Sequence, residues 1–495
     1  MRDERSGAGR RWLWLLVVTV TAGALAAAGC GGGGNDEEAA TTAATTSTET
    51  TAGGGATTGK GSPIKLAILS DCQGAFGVNY EQDIGGSEVA LAQFAGAKPK
   101  NPNKPSAGIT GGAIAGHPIK IVGFGCSNDR ADTAIKETRR LMERLGADIL
   151  IGPLSGDESI AVANYAKAHP TKTFVNGTAG AQDTTLKVRA PNFFRFNGDG
   201  AQWNAGIGDL AYRKLGWRKA AIIMDDYSFA WTSGAGMIAD FCAAGGDITK
   251  RVFPPLNTTD YSSYVRQLPA PNEVDGYFWV VGGSGTVPSL KAFEQAYGKL
   301  DAKKVIGNLF FFASGADKQL GPRLNGAYVG GFGSSPDLAT PAAKKYAATI
   351  GKYFNKFPGI PGDAKSHAAD GFTYNYYINT WALIKALKQV NGDLSGGQKK
   401  LQQALAKVTL DAPYGKIKLD ENRQAIQDQY SYQMVVKGGV PGIKTVQLIP
   451  QVDQSFGGTF TPSTPAPGRT FPPCKKRKLP WLGKEQPVVN GVPKS

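Results

Sequence analysis

Side chains that usually carry catalysis or bind metals are scarce in this chain. Its three histidines, His117, His169 and His367, lie far apart in the sequence, and no Cys-x-x-Cys pair occurs. The segment Gly282-Gly-Ser-Gly-Thr286 lacks the last glycine of a nucleophile elbow. The sequence therefore predicts no catalytic residue, no metal site and no cofactor, and it argues against an enzyme.

Four of the five cysteines lie in the body of the chain: Cys72, Cys126, Cys242 and Cys474. An even number of cysteines in an exported chain predicts disulfides. Three pairings are open on this count alone, and free buried thiols are the alternative.

The N-terminus has the features of an export signal. Four arginines among the first eleven residues precede an apolar run, Trp12–Ala28. This order predicts a signal peptide over residues 1–29. A permanent anchor is the alternative, because the run is about as long as the shortest membrane spans. The signal peptide is favoured because the run gives way to Ala and Gly before Cys30.

The remaining cysteine, Cys30, ends a stretch that resembles a bacterial lipobox, although Ala27 stands where that pattern has leucine. Acylation at Cys30 would tether the chain to a membrane. Cleavage nearby, giving a plainly secreted protein, is the alternative. Residues 30–62 are rich in Gly, Thr, Ala and Ser, and we expect a flexible, lipid-anchored tether.

The formal net charge of +15 does not indicate nucleic-acid binding. Much of the excess lies in the signal segment and in residues 456–495, and nucleic-acid binding needs a focused basic face with interleaved aromatics. The run Lys475–Lys478 is better interpreted as a solvated surface segment that faces an anionic envelope.

From residue 63, short apolar strands alternate with amphipathic helices in two successive series. The predicted strands are 64–70, 119–124, 148–152 and 173–176, then 220–224, 276–281 and 305–309. The predicted helices are 84–94, 132–145 and 159–169, then 233–244 and 289–297. Buried, non-alternating strands predict parallel sheets covered on both faces. The fold class is therefore α/β: two doubly wound parallel-sheet lobes with a ligand cleft between them, at the carboxyl ends of the strands.

The C-terminal third continues this pattern and then loses it. We expect a strand at 327–332, helices at 341–356, 369–390 and 397–408, and antiparallel strands at 415–419, 431–436 and 445–449. The helix at 369–390 is rich in aromatic residues, which favours a packed core helix over a ligand-stacking surface. Residues 456–495 are rich in Pro and Lys and predict an extended basic tail without a core of its own.

The order of these elements resembles the type I periplasmic binding proteins, in particular the branched-chain amino-acid and amide branch that serves ABC importers. The resemblance covers about residues 63–450. The matching segments are Gly85–Ala92, Gly111–Ile121, Asp132–Leu141, Gly152-Pro-Leu-Ser155, Asn176–Gly180, Asp225-Asp-Tyr227 and Val280-Val-Gly-Gly283.

The resemblance implies a monomeric lipoprotein on the outer face of the cytoplasmic membrane. Such a protein captures a small organic solute, of the amino-acid, amide or aromatic-acid type, and delivers it to an ABC permease. A ligand sensor working with a separate signalling partner is the alternative. The chain is expected to cross between lobes three times. The expected boundaries are residues 63–195 with 327–395 for lobe 1 and 196–326 with 396–455 for lobe 2.

Relatives in this family bind an amino acid's carboxylate after the third and fourth strands. The corresponding residues here are Ser155, Gly156, Asp157, Thr178, Ala179 and Gly180. A helix is expected to begin near Ser159, and its free N–H groups and partial positive charge suit an anion. The alternative is that Ser155 or Asp157 caps its own helix.

The second lobe is expected to close over the ligand with aromatic side chains. Tyr227 and Phe229 follow the strand at 220–224, and Phe229 falls nearest the position where relatives carry a tyrosine. Ser284 is a candidate hydrogen-bond donor at the start of another helix. A simple turn residue is the alternative for Ser284.

The clearest departure from the family lies at Leu309. Amino-acid-binding relatives place an acidic residue there to hold the ammonium group, whereas this chain has the apolar run Leu309–Phe312. A buried ammonium needs a charged or carbonyl partner. Either Asp157 supplies it, or the ligand is another kind of molecule in a more apolar and aromatic pocket.

The resemblance also selects a disulfide pairing. In this fold the first and second strands are neighbours, which implies that Cys72 pairs with Cys126. Cys242 would then pair with Cys474 and staple the tail to the second lobe.

Overall fold

The computed structural model describes residues 61–313, 316–338 and 340–494. The predicted signal peptide, Cys30 and nearly all of the predicted tether lie outside the described residues. Within the ranges described, no helix is both long and apolar enough to span a lipid bilayer.

The elements alternate along the chain as the sequence predicts. The strands are β1 (Ile64–Asp71), β2 (Lys98–Pro99), β3 (Ile109–Thr110), β4 (Ala113–Ile114), β5 (His117–Ser127), β6 (Ile149–Ile151), β7 (Thr173–Val175), β8 (Phe193–Phe194), β9 (Lys219–Met224), β10 (Asp247–Val252), β11 (Gly276–Val280), β12 (Val305–Gly307), β13 (Tyr328–Gly330), β14 (Leu410–Ala412), β15 (Gly415–Leu419), β16 (Ala425–Lys437), β17 (Val440–Val452), β18 (Gln486–Val489) and β19 (Val492–Pro493). The helices are α1 (Tyr80–Ala95), α2 (Ala131–Arg139), α3 (Gly156–Ala168), α4 (Asp183–Leu186), α5 (Gly200–Trp203), α6 (Ile207–Arg213), α7 (Ser228–Ala244), α8 (Ser262–Val265), α9 (Thr286–Tyr297), α10 (Phe310–Ala313), α11 (Ala316–Leu320), α12 (Pro341–Tyr353), α13 (Gly371–Gln389) and α14 (Lys399–Leu405).

The first sheet has the strand order β4-β5-β1-β6-β7-β8. All neighbours are parallel except β4, which is antiparallel to β5. Alternate residues of β1 enter two different cores: Leu66 and Ile68 join one buried cluster, and Ala67 and Leu69 join another. Helices α1 and α13 pack with the first cluster, and α2 and α3 with the second. Both faces are therefore covered, which explains the continuous apolar run Leu66–Leu69 in this strand.

The second sheet begins parallel and ends antiparallel. Its order is β10-β9-β11-β12-β13-β16-β17-β18-β19, and the strands from β10 to β13 are parallel neighbours. The long strands β16 and β17 pair antiparallel with each other, and β16 pairs antiparallel with β13. Two sheets of this kind confirm the predicted α/β fold class.

Two elements lie in a different lobe from the one that the sequence predicts. β13 was expected in the first lobe, but it is hydrogen-bonded between β12 and β16 in the second sheet. Helix α14 was expected in the second lobe, but Gln398 donates to the carbonyl of Asp148 and Gln402 to that of Pro170, both in the first lobe. An apolar pattern in the sequence predicts a strand or a helix, but it does not show which sheet that element joins or packs against. The chain passes between the sheets near residues 195–199, 330–335 and 423–427, and Arg195 and Gln424 form a β-bridge there.

The C-terminal tail has a core, contrary to the prediction. Phe456, Phe460, Leu479 and Trp481 are buried in one cluster with residues of α7, and β18 adds to the edge of β17. A Pro-rich segment lacks helical or strand periodicity. The sequence therefore did not indicate that its scattered aromatic residues are buried.

The four cysteines of the described ranges form two disulfides, Cys72–Cys126 and Cys242–Cys474. They are the pairings that the resemblance implies. The first joins the ends of neighbouring strands β1 and β5, and the second fixes the tail to α7.

Helices α1 and α13 approach each other closely at Gly86. A Cβ atom at this position would lie 2.2 Å from the carbonyl oxygen of Thr373. Because that neighbour is backbone, the helices would have to separate. We expect Gly86→Ala to lower the free energy of unfolding by about 1–3 kcal/mol in urea denaturation. Gly442→Ala, where the nearest atom is 4.0 Å away, is the matched control; an equal loss in both variants would contradict this account.

Candidate functional site

An aromatic cavity lies between the two lobes, and we call it the inner cavity. Six of its lining residues are aromatic: Phe76, Trp203, Phe229, Phe310, Phe332 and Phe372. The others are Leu154, Ser155, Gly156, Thr178 and Gly180. The free space within it is only about 20 Å³, roughly room for one water molecule. The aromatic rings themselves therefore fill most of the site.

The rings form one continuous set of contacts that joins the lobes. Phe76, from the loop after β1 in the first lobe, stacks on Phe310 of the second lobe with centroids 5.3 Å apart. Phe76 also meets Phe229, at the start of α7, edge-on at 5.5 Å. Trp203 stacks on Phe332 at 4.2 Å. Such pairs each contribute about 0.5–1.5 kcal/mol beyond the burial of their area.

One end of the inner cavity is polar but uncharged. Helix α3 begins at Gly156, three residues before the predicted start, so its first N–H groups lie in the cavity wall. Thr178 Oγ1 is buried and has no hydrogen-bond partner among the described residues. Among the described residues that line the cavity, none is Asp, Glu, Lys or Arg. The arrangement offers hydrogen bonds and a helix N-terminus at one end and aromatic rings elsewhere.

Tyr227 and Asp157 connect the two lobes at the rim of this cavity. The Tyr227 hydroxyl donates to the carbonyl of Asp129 at 2.9 Å, lies 3.0 Å from Ser155 Oγ, and accepts from the Asp157 N–H at 3.2 Å. The Asp157 carboxylate accepts from the Ser228 N–H at 3.3 Å, at the N-terminus of α7. Asp157 thus caps a helix of the opposite lobe. Burial raises the pKa of Asp157, while the bonds from Ser228 oppose that shift.

A larger and more polar space, which we call the outer cavity, lies outside this rim. It measures about 680 Å³ and is lined by Asp129, Arg130, Asp132, Asp157 and Tyr227, among others. Tyr227 and Asp157 line the outer cavity but not the inner one. The rim formed by these two side chains therefore separates an aromatic compartment from a charged one.

Besides Asp157 and Tyr227, three more of the predicted site residues do not line the inner cavity. Ala179 is buried, and its carbonyl accepts hydrogen bonds from Asn176 and Arg195. Ser284 is exposed, and its N–H donates across the lobes to the carbonyl of Ala75 at 3.2 Å. Leu309 is packed in the hydrophobic core. Strand β12 ends at Gly307, so the chain turns earlier than predicted and presents Phe310 instead.

The sequence prediction missed the residues that dominate the cavity. Phe76, Trp203, Phe332 and Phe372 come from four separate segments, and no spacing in the sequence links them. Phe372 is the second residue of α13, the helix whose aromatic residues favoured a packed core. Its neighbours Tyr374 and Tyr376 are buried in that core. Phe310 could have been predicted, because it directly follows Leu309, the residue that the sequence prediction named.

Arg195 holds the loop that carries Thr178 and Gly180. Its guanidinium donates to the carbonyl of Ala181 at 2.6 Å and of Ala179 at 3.3 Å, to Thr185 Oγ1 at 2.8 Å, and to Gln424. Asp199 lies 3.9 Å away, and both side chains are fully buried. Burial lowers the pKa of Arg195 to about 10, so the cation persists at neutral pH.

Two α/β lobes, three crossings and a cavity between them define a two-lobed binding protein. A family model described as periplasmic binding protein matches residues 63–439. This chain belongs to the periplasmic binding protein family. It is thus an extracytoplasmic protein that binds a solute and is not an enzyme.

Solved structures agree on the fold. A solute-binding protein of an ABC transporter from R. palustris, in complex with benzoate, is 21% identical with a TM-score of 0.63, over 79% of this chain and 97% of that one. A substrate-binding protein from Sphaerobacter thermophilus is 23% identical with a TM-score of 0.65, over 79% and 99%. A leucine-binding protein from Thermotoga maritima MSB8 is 17% identical with a TM-score of 0.61, over 78% and 99%. No curated protein matches the chain in sequence.

Proposed function

We propose that this protein is the substrate-binding component of an ABC importer and that its ligand is a small aromatic carboxylic acid. The family membership supports the transport role. The resemblance of the segment ending at Cys30 to a lipobox supports a lipid anchor on the outer face of the cytoplasmic membrane. The benzoate named for the R. palustris protein supports the ligand class.

The observation that carries the ligand class is the composition of the inner cavity. A ligand ring would meet Phe76, Phe229 and Phe310, and its carboxylate would meet the α3 N-terminus and Thr178. An α-amino acid also brings an ammonium group, which needs a negative or carbonyl partner when buried. The nearest carboxylate at the rim, Asp157, already accepts from Ser228. An acid without an ammonium group fits this site better than an amino acid does.

Entry of the ligand requires the lobes to separate, because the inner cavity is nearly filled. Phe76 lies in the first lobe, whereas Phe229 and Phe310 lie in the second. A hinge motion that separates the lobes would part these rings without breaking the cores. The ring of the ligand would then take the place of the contacts that Phe76 makes in the closed form.

A thermal-shift panel tests the ligand class with residues 63–495. Benzoate and 4-hydroxybenzoate should raise the melting temperature, because a ligand at 100 times its Kd stabilises the native state by about 2.7 kcal/mol. Leucine and phenylalanine should leave it unchanged. A shift with leucine and none with the aromatic acids would overturn the proposed class.

Thr178 allows a more specific test, because its hydroxyl has no hydrogen-bond partner in the part of the chain that the structure describes. We expect Thr178→Val to weaken 4-hydroxybenzoate binding about tenfold, the loss of one hydrogen bond to a charged group. Stability should stay the same or rise, since an unpaired buried hydroxyl is removed. Thr173→Val is the matched control: Thr173 Oγ1 is also buried without a hydrogen-bond partner among the residues described, but Thr173 does not line the cavity. Calorimetry showing equal affinity in wild type and Thr178→Val would contradict the role of Thr178.

A further inference from the structure

Residues 453–481 follow the last long strand and lie beyond the segment that matches the family; we call them the strap. The strap reaches the first lobe at the end of α4. Lys187 Nζ donates to the carbonyls of Thr461 at 2.9 Å and Pro462 at 3.2 Å, and also to that of Thr464. A single half-buried ammonium group therefore binds three carbonyls of the strap.

The strap also holds the ligand-binding loop of the first lobe. Gln454 and Gln182 exchange side-chain-to-carbonyl bonds of 3.4 Å, and Gln454 donates to Thr185 Oγ1 at 2.8 Å. Gln182 follows Gly180 by two residues, so this contact lies close to the wall of the inner cavity. Leu186 joins the buried cluster that contains Phe456 and Phe460 of the strap.

The other end of the strap is fixed to the second lobe. Arg469 forms an ion pair with Asp226, the residue before Tyr227 at the rim. Cys474 is bonded to Cys242 on α7, and Trp481 Nε1 donates to Asp240 on the same helix at 2.9 Å. These contacts lie along α7, the helix whose N-terminus carries Ser228 and Phe229.

We propose that the strap bridges the two lobes and restrains their opening, and that Lys187 is the residue of the first lobe to which it binds. Between Thr464 and Arg469 the strap passes from a residue of the first lobe to a residue of the second. Separation of the lobes must pull Lys187 away from its three carbonyls or draw the strap off α7. The strap is bonded to α7 by the Cys242–Cys474 disulfide. Separation of the lobes therefore breaks the contact between the strap and Lys187 first.

The consequence is a protein whose closed form is favoured before ligand arrives. Lys187 and Gln454 act as positioning residues: they contact no lining side chain of the inner cavity but hold the loop that includes Thr178 and Gly180. This restraint concerns lobe movement, so it holds whichever solute the cavity accepts.

Hydrogen exchange of the ligand-free protein tests the strap. The amides of Ser228 and Ser284 donate across the lobes, to Asp157 and Ala75, so they exchange when the lobes open. Lys187→Met should speed exchange of peptides that contain them by about tenfold, as expected from losing hydrogen bonds to a charged group. Peptides from β11 should not change. Lys187→Arg should restore slow exchange, and Lys136→Met, at an exposed lysine of the same lobe, should match wild type.

Arg469→Gln removes the ion pair between the strap and Asp226 of the second lobe. Because the Cys242–Cys474 disulfide remains, this variant should speed exchange of the same peptides by less than Lys187→Met does. Two results would overturn the proposal. One is unchanged exchange at Ser228 and Ser284 in both variants. The other is equal acceleration across all peptides including β11, which would mean that the strap only adds global stability. Neither outcome depends on a ligand, so failure here is distinct from failure of the aromatic-acid assignment.

Discussion

Replacing Arg195 by leucine should lower the free energy of unfolding by about 3–5 kcal/mol, the cost of leaving a buried charge without its partner. Arg195 and Asp199 are both fully buried, and the guanidinium also binds two carbonyls of the loop that carries Thr178 and Gly180. Its loss leaves the Asp199 carboxylate and those carbonyls without a cation. Urea denaturation of wild type and Arg195→Leu measures the change.

Arg213 provides the matched control for Arg195. It forms an ion pair with Asp209 at the same spacing of four residues, but its side chain is 56% exposed. Arg213→Leu should cost less than about 1 kcal/mol. Adding Asp199→Asn to Arg195→Leu should recover part of the loss, because the uncompensated charge is removed. Equal effects of Arg195→Leu and Arg213→Leu would contradict the importance given to burial.

Raising the pH from 5 to 8.5 should destabilise this protein. Three buried carboxyl groups, Asp71, Asp129 and Glu158, meet at the carboxyl edge of the first sheet, beneath the start of α3. Burial raises the pKa of Glu158 to about 7 and of Asp129 to about 8. Burial, followed by the nearby Glu158, raises the pKa of Asp71 well above its usual range. The fold thus favours the protonated forms.

The sign of the effect follows from these directions. The stabilisation is fully present below the ordinary carboxyl pKa near 4, and it is lost as the pH rises through the raised values near 7 and 8. Glu158 alone corresponds to about 3 kcal/mol. Glu88 and Asp240 are also buried with raised pKa values, of about 9 and 7, and they act in the same direction. Carboxyl groups with lowered pKa values have finished titrating by pH 5.

Urea denaturation at pH 5 and pH 8.5 measures this loss. Glu158→Gln, which stays neutral at every pH, should reduce the difference between the two conditions by roughly 3 kcal/mol. Asp132→Asn, at an exposed carboxylate, should leave the difference as in wild type. Equal or greater stability at pH 8.5 would show that these groups are ionised in the native state.

The fold was predictable because each strand and helix carries its own local pattern. β1 has a continuous apolar run, Leu66–Leu69, since both of its faces are covered, and α2 and α9 show helical spacing of apolar residues. The sheet to which an element belongs is not local information. β13 and α14 were therefore assigned to the wrong lobe, although their existence was predicted.

The polar residues that line the inner cavity could be predicted from the sequence to lie together, and the aromatic ones could not. Ser155, Gly156, Thr178 and Gly180 follow strands, and the helix N-terminus at α3 gives them a physical reason to lie together. Phe76, Trp203, Phe332 and Phe372 meet only after the chain has crossed between the lobes. At Leu309 the apolar pattern did not show where the strand ends. β12 ends two residues before the apolar pattern does, and Phe310 lines the cavity instead of Leu309.

Trp203 provides the most direct measurement of the central claim, that an aromatic acid binds in the inner cavity. Its ring lines that cavity and stacks on Phe332. Titration with 4-hydroxybenzoate should change the tryptophan fluorescence of the wild type to saturation. Trp203→Phe should lose most of this change while its calorimetric Kd stays within a few fold of wild type. A ligand that binds both proteins and leaves Trp203 emission untouched would place the binding site elsewhere and contradict the account.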